Sequence, residues 1–253
     1  MTISSEFPAP AAAAVTFRTV DVRGKNLTLA ELRAAVPRAQ GRTVADAEEK
    51  VLDIISAVRQ RGFEALAELA ERFDGVTQDH PRGPQEALAS ALDQLDPAVR
   101  RALEESISRA RKFADGQRPR NLDVELGDGA VVSQNWVPVA RVGLYVPGGL
   151  AVYPSSVVMN VVPALAAGVE SIALASPPQK EFGGLPHPTI LAAAALLGIS
   201  EVYAIGGAQA IAAFADGASA TPAGAALEPV DVVTGPGNIF VATAKRLVKG
   251  VVG

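Results

Sequence analysis

Cysteine is absent from this chain of 253 residues, which removes disulfides, thiolate nucleophiles and thiolate metal ligands together and fits a reducing compartment. Histidine is nearly absent. His80 ("QDHPRG") and His187 ("LPHPTI") stand next to proline in loop-like stretches without a nearby partner. Both are expected to be solvated loop residues rather than catalytic bases or metal ligands. A basic block is missing too. Lys and Arg number 23 against 27 Asp and Glu, for a net charge of −4. Neither nucleic acid nor an acidic membrane surface would be attracted to such a chain. No apolar run is long enough to span a bilayer; the longest, "ILAAAALLGI" at 190–199, is far too short. The N-terminal "MTISSEFPAPAAAAVTFRTV" has no basic n-region, and Pro8 and Pro10 interrupt it, so no signal peptide is read. A cytoplasmic globular protein without nucleic-acid or membrane partners is expected.

What is present falls into two styles. Residues 1–120 read as helices. Val51, Ile54, Ile55 and Val58 form one apolar stripe, and Leu66, Leu69, Ala70 and Phe73 repeat it before a stop at Gly75. Asp96 and Pro97 open a third helix as N-cap and first residue, carrying Val99, Leu103, Ile107 and Ala110 to about Ala114. Residues 79–87 read as loop. "GDG" at 127–129 lies between alternating runs and predicts a hairpin turn. A domain boundary is expected between about 120 and 140, which divides the chain into 1–135 and 136–253.

From Val142 onward strand-like runs begin at Val142, Ser171, Glu201 and Asp231, at separations of 29, 30 and 30 residues. Each interval holds one strand and one returning helix. The fold class is therefore α/β, with a parallel sheet covered on both faces and ligands at the carboxyl ends of its strands. Those ends read "YVPGG", "SPP", "IGGAQ" and "TGPGN". Glycine lets backbone N–H groups approach an anionic ligand, and a helix starting there adds its positive end. Three such turns on one sheet edge point to a nucleotide or phosphate site. The standard fingerprints are missing: there is no G-x-G-x-x-G, no phosphate loop ending in Gly-Lys-Ser/Thr, and no His-Glu-x-x-His or Gly-x-Ser-x-Gly. Tyr145, with a ring and a hydroxyl, and Gln209 and Asn238, with amides that both donate and accept, suit a ribose, an adenine edge or a carboxamide. Bland readings stand beside these: a strand aromatic, a surface helix residue and an N-cap. Lys245 and Arg246 are read as a solvated helix face.

Taken together, "RVGLYVPGGLAVYPSSVVMNVVPALAAGV", "LAAAALLGISEVYAIGGAQAIAAFADG", "VDVVTGPGNIFVATAKRLVKG" and "ERFDGV" resemble the histidinol dehydrogenase family over about residues 40–253. The resemblance implies a Rossmann-like second domain and an NAD-dependent, two-step oxidation of L-histidinol through L-histidinal to L-histidine. It implies a zinc-dependent homodimer with intertwined subunits. It also places NAD contacts on Tyr145, Gln209 and Asn238. The family's zinc ligands and catalytic Glu-His pair lie in a stretch with no counterpart before Gly253. From that the chain is expected to be an N-terminal portion with no catalytic or metal residues of its own, an incomplete first domain, and no activity in isolation. Two other readings remain at this point: a non-catalytic nucleotide-binding module, and a dimerising assembly fragment that binds nothing.

Overall fold

Residues 19–36, 41–148 and 151–253 are described in the computed structural model of the protein, so the second glycine of "YVPGG" and the first 18 residues, Pro8 and Pro10 among them, lie outside them. The chain divides into two units, Met1–Gly41 and Arg42–Gly253. In the first, a short helix α1 (Leu29–Ala35) starts at a reciprocal cap. Thr28 Oγ1 accepts from the Glu31 N–H at 3.3 Å, and the Glu31 carboxylate accepts from the Thr28 N–H at 2.8 Å. None of its residues is buried, so the apolar periodicity that reveals the other helices is missing here.

The second unit opens with α2 (Gly41–Arg61), α3 (Phe63–Asp74), α4 (Gln85–Asp93) and α5 (Pro97–Gln117), followed by the strands β1 (Leu122–Gly127) and β2 (Ala130–Gln134). The expected stripe of α2 is buried throughout, and Gly75 ends α3 in the left-handed region. Phe73 departs from its stripe. It is 53% exposed, because the last turn of α3 runs past the core into an open cleft. Helix α4 begins inside the stretch read as loop. It is short, buries only Leu88 and Ala91, and starts after a Pro-Arg-Gly-Pro lead-in that reads as a breaker. Asp96 caps α5 as expected, accepting from Ala98 N at 2.8 Å and Val99 N at 3.1 Å, and the helix continues to Gln117. The two short strands pair antiparallel around "GDG".

The remainder is strand and helix in turn: β3 (Arg141–Tyr145), α6 (Pro154–Ala167), β4 (Ser171–Ser176), α7 (Pro188–Leu196), β5 (Val202–Ala204), α8 (Gly207–Asp216), β6 (Val232–Thr234) and α9 (Ile239–Leu247). The four strands form a parallel sheet in the order β5-β4-β3-β6. Period-two alternation sorts their side chains. Val142, Leu144, Ile172 and Leu174 pack with α4, α5, α6 and α7 on one face. Tyr145, Ala173, Ala175 and Tyr203 pack with α2, α3, α8 and α9 on the other. Gly143 shows how tight the second face is, since a Cβ there would lie 2.6 Å from the Phe214 ring. Both faces being covered, the strands read as continuous apolar runs.

Polar groups tie the amino ends of the strands. The Arg141 guanidinium donates to both oxygens of Glu201 and to Ser171 Oγ, and its backbone N–H donates to Asp231 Oδ2 at 2.8 Å. Tyr203 OH donates to the same Glu201 at 2.8 Å. Desolvation pushes the pKa of Glu201 up, but the hydrogen bonds from Arg141 and Tyr203 and the arginine's charge outweigh it and hold the carboxyl below its ordinary value. This network fixes the end of the sheet opposite the glycine turns. Among the described residues no helix is long and apolar enough to cross a membrane.

Candidate functional site

The chain steps from β3 to β4 to β5 in one direction and then returns past β3 to place β6 on the other side. Neighbouring connections therefore leave the sheet in opposite directions at β3 and β6, the crevice where open α/β sheets hold ligands. Leu144 pairs with Thr234 across it, so Tyr145 and the "GPGN" turn face each other. Gly235 has φ +121, and a Cβ on it would collide with the Tyr145 carbonyl oxygen. Only glycine fits that approach. Three residues on, Asn238 caps α9: its Oδ1 accepts from Phe240 N at 3.0 Å and Val241 N at 3.2 Å. The N-cap reading is thus correct in its geometry, while the exposed amide nitrogen keeps two donors for another partner.

Lys245 does not simply face solvent, as its place on α9 suggests. Its Nζ donates to the Gly235 carbonyl at 2.7 Å and so holds the turn from behind. Arg246 reaches Glu48 on α2 at 2.6 Å. Which way a lysine folds back from its helix is decided by tertiary packing, and no sequence spacing signals it.

Tyr145 is 4% exposed, so its ring belongs to the core and gives a ligand little surface to stack on. Its hydroxyl oxygen accepts from the Gly207 N–H at 3.0 Å. Burial pushes the phenol's pKa up, the Gly207 N–H opposes this, and the charge of Asp74 adds to the rise. Gly207, at φ +60, opens α8, and Gln209 follows within its first turn. Gln209 is also 4% exposed, which rules out a surface helix residue.

Tyr145, Gln209 and Asn238 line one cleft of about 630 Å³, together with Gly148, Gly206 and Gly207. That volume is within the range of small-molecule sites. Its far wall comes from α2 and α3: Lys50, Asp53 and Arg61, then Glu68, Phe73 and Asp74. The sequence reading had assigned none of these to the site. Asp74 Oδ2 is buried without a hydrogen-bond partner, and burial alone pushes the group's pKa up to about 6. One signal was available. A carboxylate in the final position of a helix sits at the negative end of its dipole, where it is disfavoured.

Both histidines are half-buried and hold hydrogen-bond partners, so they are not the freely solvated loop residues that the sequence suggests. His80 Nδ1 accepts from Arg82 N at 3.1 Å, its Nε2 lies 3.1 Å from the Ala225 carbonyl, and its ring packs 4.3 Å from that of Phe63. His187 caps α7, with Nδ1 accepting from Thr189 N at 3.1 Å. Burial holds both below the ordinary histidine pKa. Among the described residues no group of three or more His, Asp or Glu side chains gathers to hold a metal ion. A second hollow, of about 700 Å³, lies where α2 and α8 end, between Arg59, Asp216 and Glu228; Arg59 Nε meets Asp216 there at 3.0 Å. None of the three strand-end side chains reaches it.

Residues 38–253 match the family model described as histidinol dehydrogenase. Over 234 residues, 92% of this chain, the chain is 59% identical to the histidinol dehydrogenase of Nocardia farcinica (strain IFM 10152) and 60% identical to that of Thermobifida fusca (strain YX). It covers 52% and 51% of those proteins, so it spans about half the length of these relatives. The crystal structure of histidinol dehydrogenase from Elizabethkingia anophelis superposes with a TM-score of 0.77 at 28% identity, over 89% of this chain and 50% of that one.

Proposed function

The chain belongs to the histidinol dehydrogenase family, and on that premise we propose that it forms the NAD-holding part of an enzyme that oxidises L-histidinol through L-histidinal to L-histidine. One observation carries this reading: side chains from three strand ends, Tyr145, Gln209 and Asn238, line a single cleft at the sheet's switch point. The cleft's own features suit a dinucleotide. Gly235 brings backbone against backbone where a Cβ would fill the space, and the N-terminus of α9, two of whose N–H groups are taken by the Asn238 cap, still offers its positive dipole end to a pyrophosphate. Asn238 donates through its amide nitrogen while its oxygen stays on the helix cap. Gln209 supplies a buried amide and Tyr145 a hydroxyl steadied by Gly207. When bound, NAD supplies the hydride acceptor. The chain's task is to fix and desolvate it.

Zinc is a different matter. The described residues do not gather a ligand set, so they do not fit a zinc site. The homodimer and the cytoplasmic setting belong to the same reading, and light scattering on the purified chain tests the first. Calorimetric titration with NAD tests the cleft. Saturable binding that weakens about tenfold in Asn238→Ala, the cost of one good hydrogen bond, is the expected result. A flat titration of folded wild-type chain contradicts the proposal.

A further inference from the structure

His80 lies outside the cleft and joins two segments far apart in sequence. The first is a strap, residues 81–83, which runs antiparallel along the outer edge of β5. Gly83 N donates to the Val202 carbonyl at 2.8 Å, and Ala204 N donates to the Pro81 carbonyl at 2.7 Å. The strap thus pairs an edge that would otherwise be open, two residues before Gly206 in the cleft wall. The second is an excursion between α8 and β6, residues 218–227. Two antiparallel rungs close it, Ala218 with Leu227 and Thr221 with Gly224, and its residues 219–223 are exposed.

The His80 ring stands between them. It packs 4.3 Å from the Phe63 ring, and Gly224 approaches so closely that a Cβ there would lie 2.5 Å from His80 Cδ2. Nδ1 accepts from the strap's Arg82 N at 3.1 Å, and Nε2 lies 3.1 Å from the Ala225 carbonyl of the excursion. A backbone N–H only donates and a carbonyl only accepts. One form of the ring satisfies both, the neutral imidazole with its proton on Nε2. The surrounding charges keep that form. The excursion carries no titratable side chain. From α3 comes Phe63, with Glu64 beside it held by Arg61 at 3.3 Å, and on β5 Tyr203 gives its hydroxyl to Glu201. The strap region adds Asp79 and Arg82. Burial, and after it the Arg82 charge, hold the pKa of His80 below the ordinary histidine value, against the pull of the Ala225 carbonyl.

A proton on Nδ1 would turn the acceptor into a donor facing the Arg82 N–H, and would leave a positive charge partly buried. We infer that His80 is a pH-sensitive latch: its neutral ring fastens the 218–227 excursion to the strap on β5, and protonation at Nδ1 releases both. Because the folded ring titrates below the ordinary 6.5, the latch holds fully above that value and is lost as the pH falls through the lowered pKa. His187 has no such reach, since its Nδ1 accepts from Thr189 N within its own helix.

Imidazole nitrogen-15 spectra and amide hydrogen exchange of the full chain at about pH 7.5 and about pH 5, on wild type and His80→Gln, test the latch. At the higher pH His80 is expected to carry its proton on Nε2 alone. At the lower pH, with intrinsic rates divided out, the amides of Gly83, Ala204, Ala218, Thr221, Gly224 and Leu227 should exchange about fivefold faster, the loss of one hydrogen bond. In His80→Gln, whose amide does not titrate, that response should vanish, while Thr189 responds in both proteins. If His80→Gln does not fold, the wild-type rates decide, because they must follow the titration of His80 and not that of His187. A proton on Nδ1 at the higher pH, a His80 that titrates while these amides stay protected, or the same pH response in folded His80→Gln overturns the inference.

Discussion

One wall of the cleft is made of backbone and the other of side chains. The strand-end wall contributes Gly148, Gly206 and Gly207, with Gly235 behind it; the Gly207 N–H holds the Tyr145 hydroxyl, and the Asn238 amide oxygen caps α9. The helical wall, from α2 and α3, presents Lys50, Asp53, Arg61, Glu68 and Asp74 from otherwise solvated faces. The first wall constrains residue type through sterics, because a Cβ at Gly235 has nowhere to go. The second constrains charge through the side chains that it presents. Substitutions on the first wall should therefore damage fold and binding together, whereas those on the second should separate the two.

Gly235→Ala should give the largest effect. Its collision with the Tyr145 carbonyl and its φ of +121 leave no unstrained conformation. A loss of about 3 kcal/mol or more in urea unfolding is expected, together with loss of NAD binding. Near-neutral behaviour would mean that the wall can reshape itself. Lys245→Met comes next. It leaves the partly buried Gly235 carbonyl without its charged donor, which costs about 2 kcal/mol, and NAD affinity should fall through the turn alone.

Asp74→Asn should be the smallest and of opposite sign. Burial raises the carboxyl pKa from 3.8 to about 6 in the folded chain. The group thus contributes stability fully below the unfolded value, and that contribution is lost as pH rises through about 6. The whole shift corresponds to about 3 kcal/mol, which solvent screening of a half-exposed side chain reduces to about 1. Asparagine should therefore be about 1 kcal/mol more stable than wild type at pH 8 and no more stable at pH 4. Thermal unfolding at the two pH values checks this. A variant that is less stable at pH 8 would make Asp74 an ordinary structural residue and erase the contrast between the walls.

The same contrast explains what could be read in the sequence. Strand spacing, the hairpin at "GDG", the cap at Asp96 and the site candidates Tyr145, Gln209 and Asn238 are local signals, because turns and caps demand particular residues. Helix α4 is hidden by its Pro-Arg-Gly-Pro lead-in, and α1 by having no buried face. Phe73 and Asp74 escaped for a different reason. They are 72 and 71 residues before Tyr145, and only the packing of α3 beside the sheet brings them to the cleft. The roles of Lys245 and His80 likewise depend on which carbonyl or ring lies within reach, whereas His187 caps its own helix.

Amide hydrogen exchange of the purified chain, with and without NAD, tests the central claim most directly. The account predicts slowed exchange at Gly207, Phe240 and Val241, beside Tyr145, Gln209 and Asn238, and none in the hairpin at 122–134. No slowing at these strand ends under saturating NAD, or slowing confined to the hollow between Arg59 and Asp216, would contradict it.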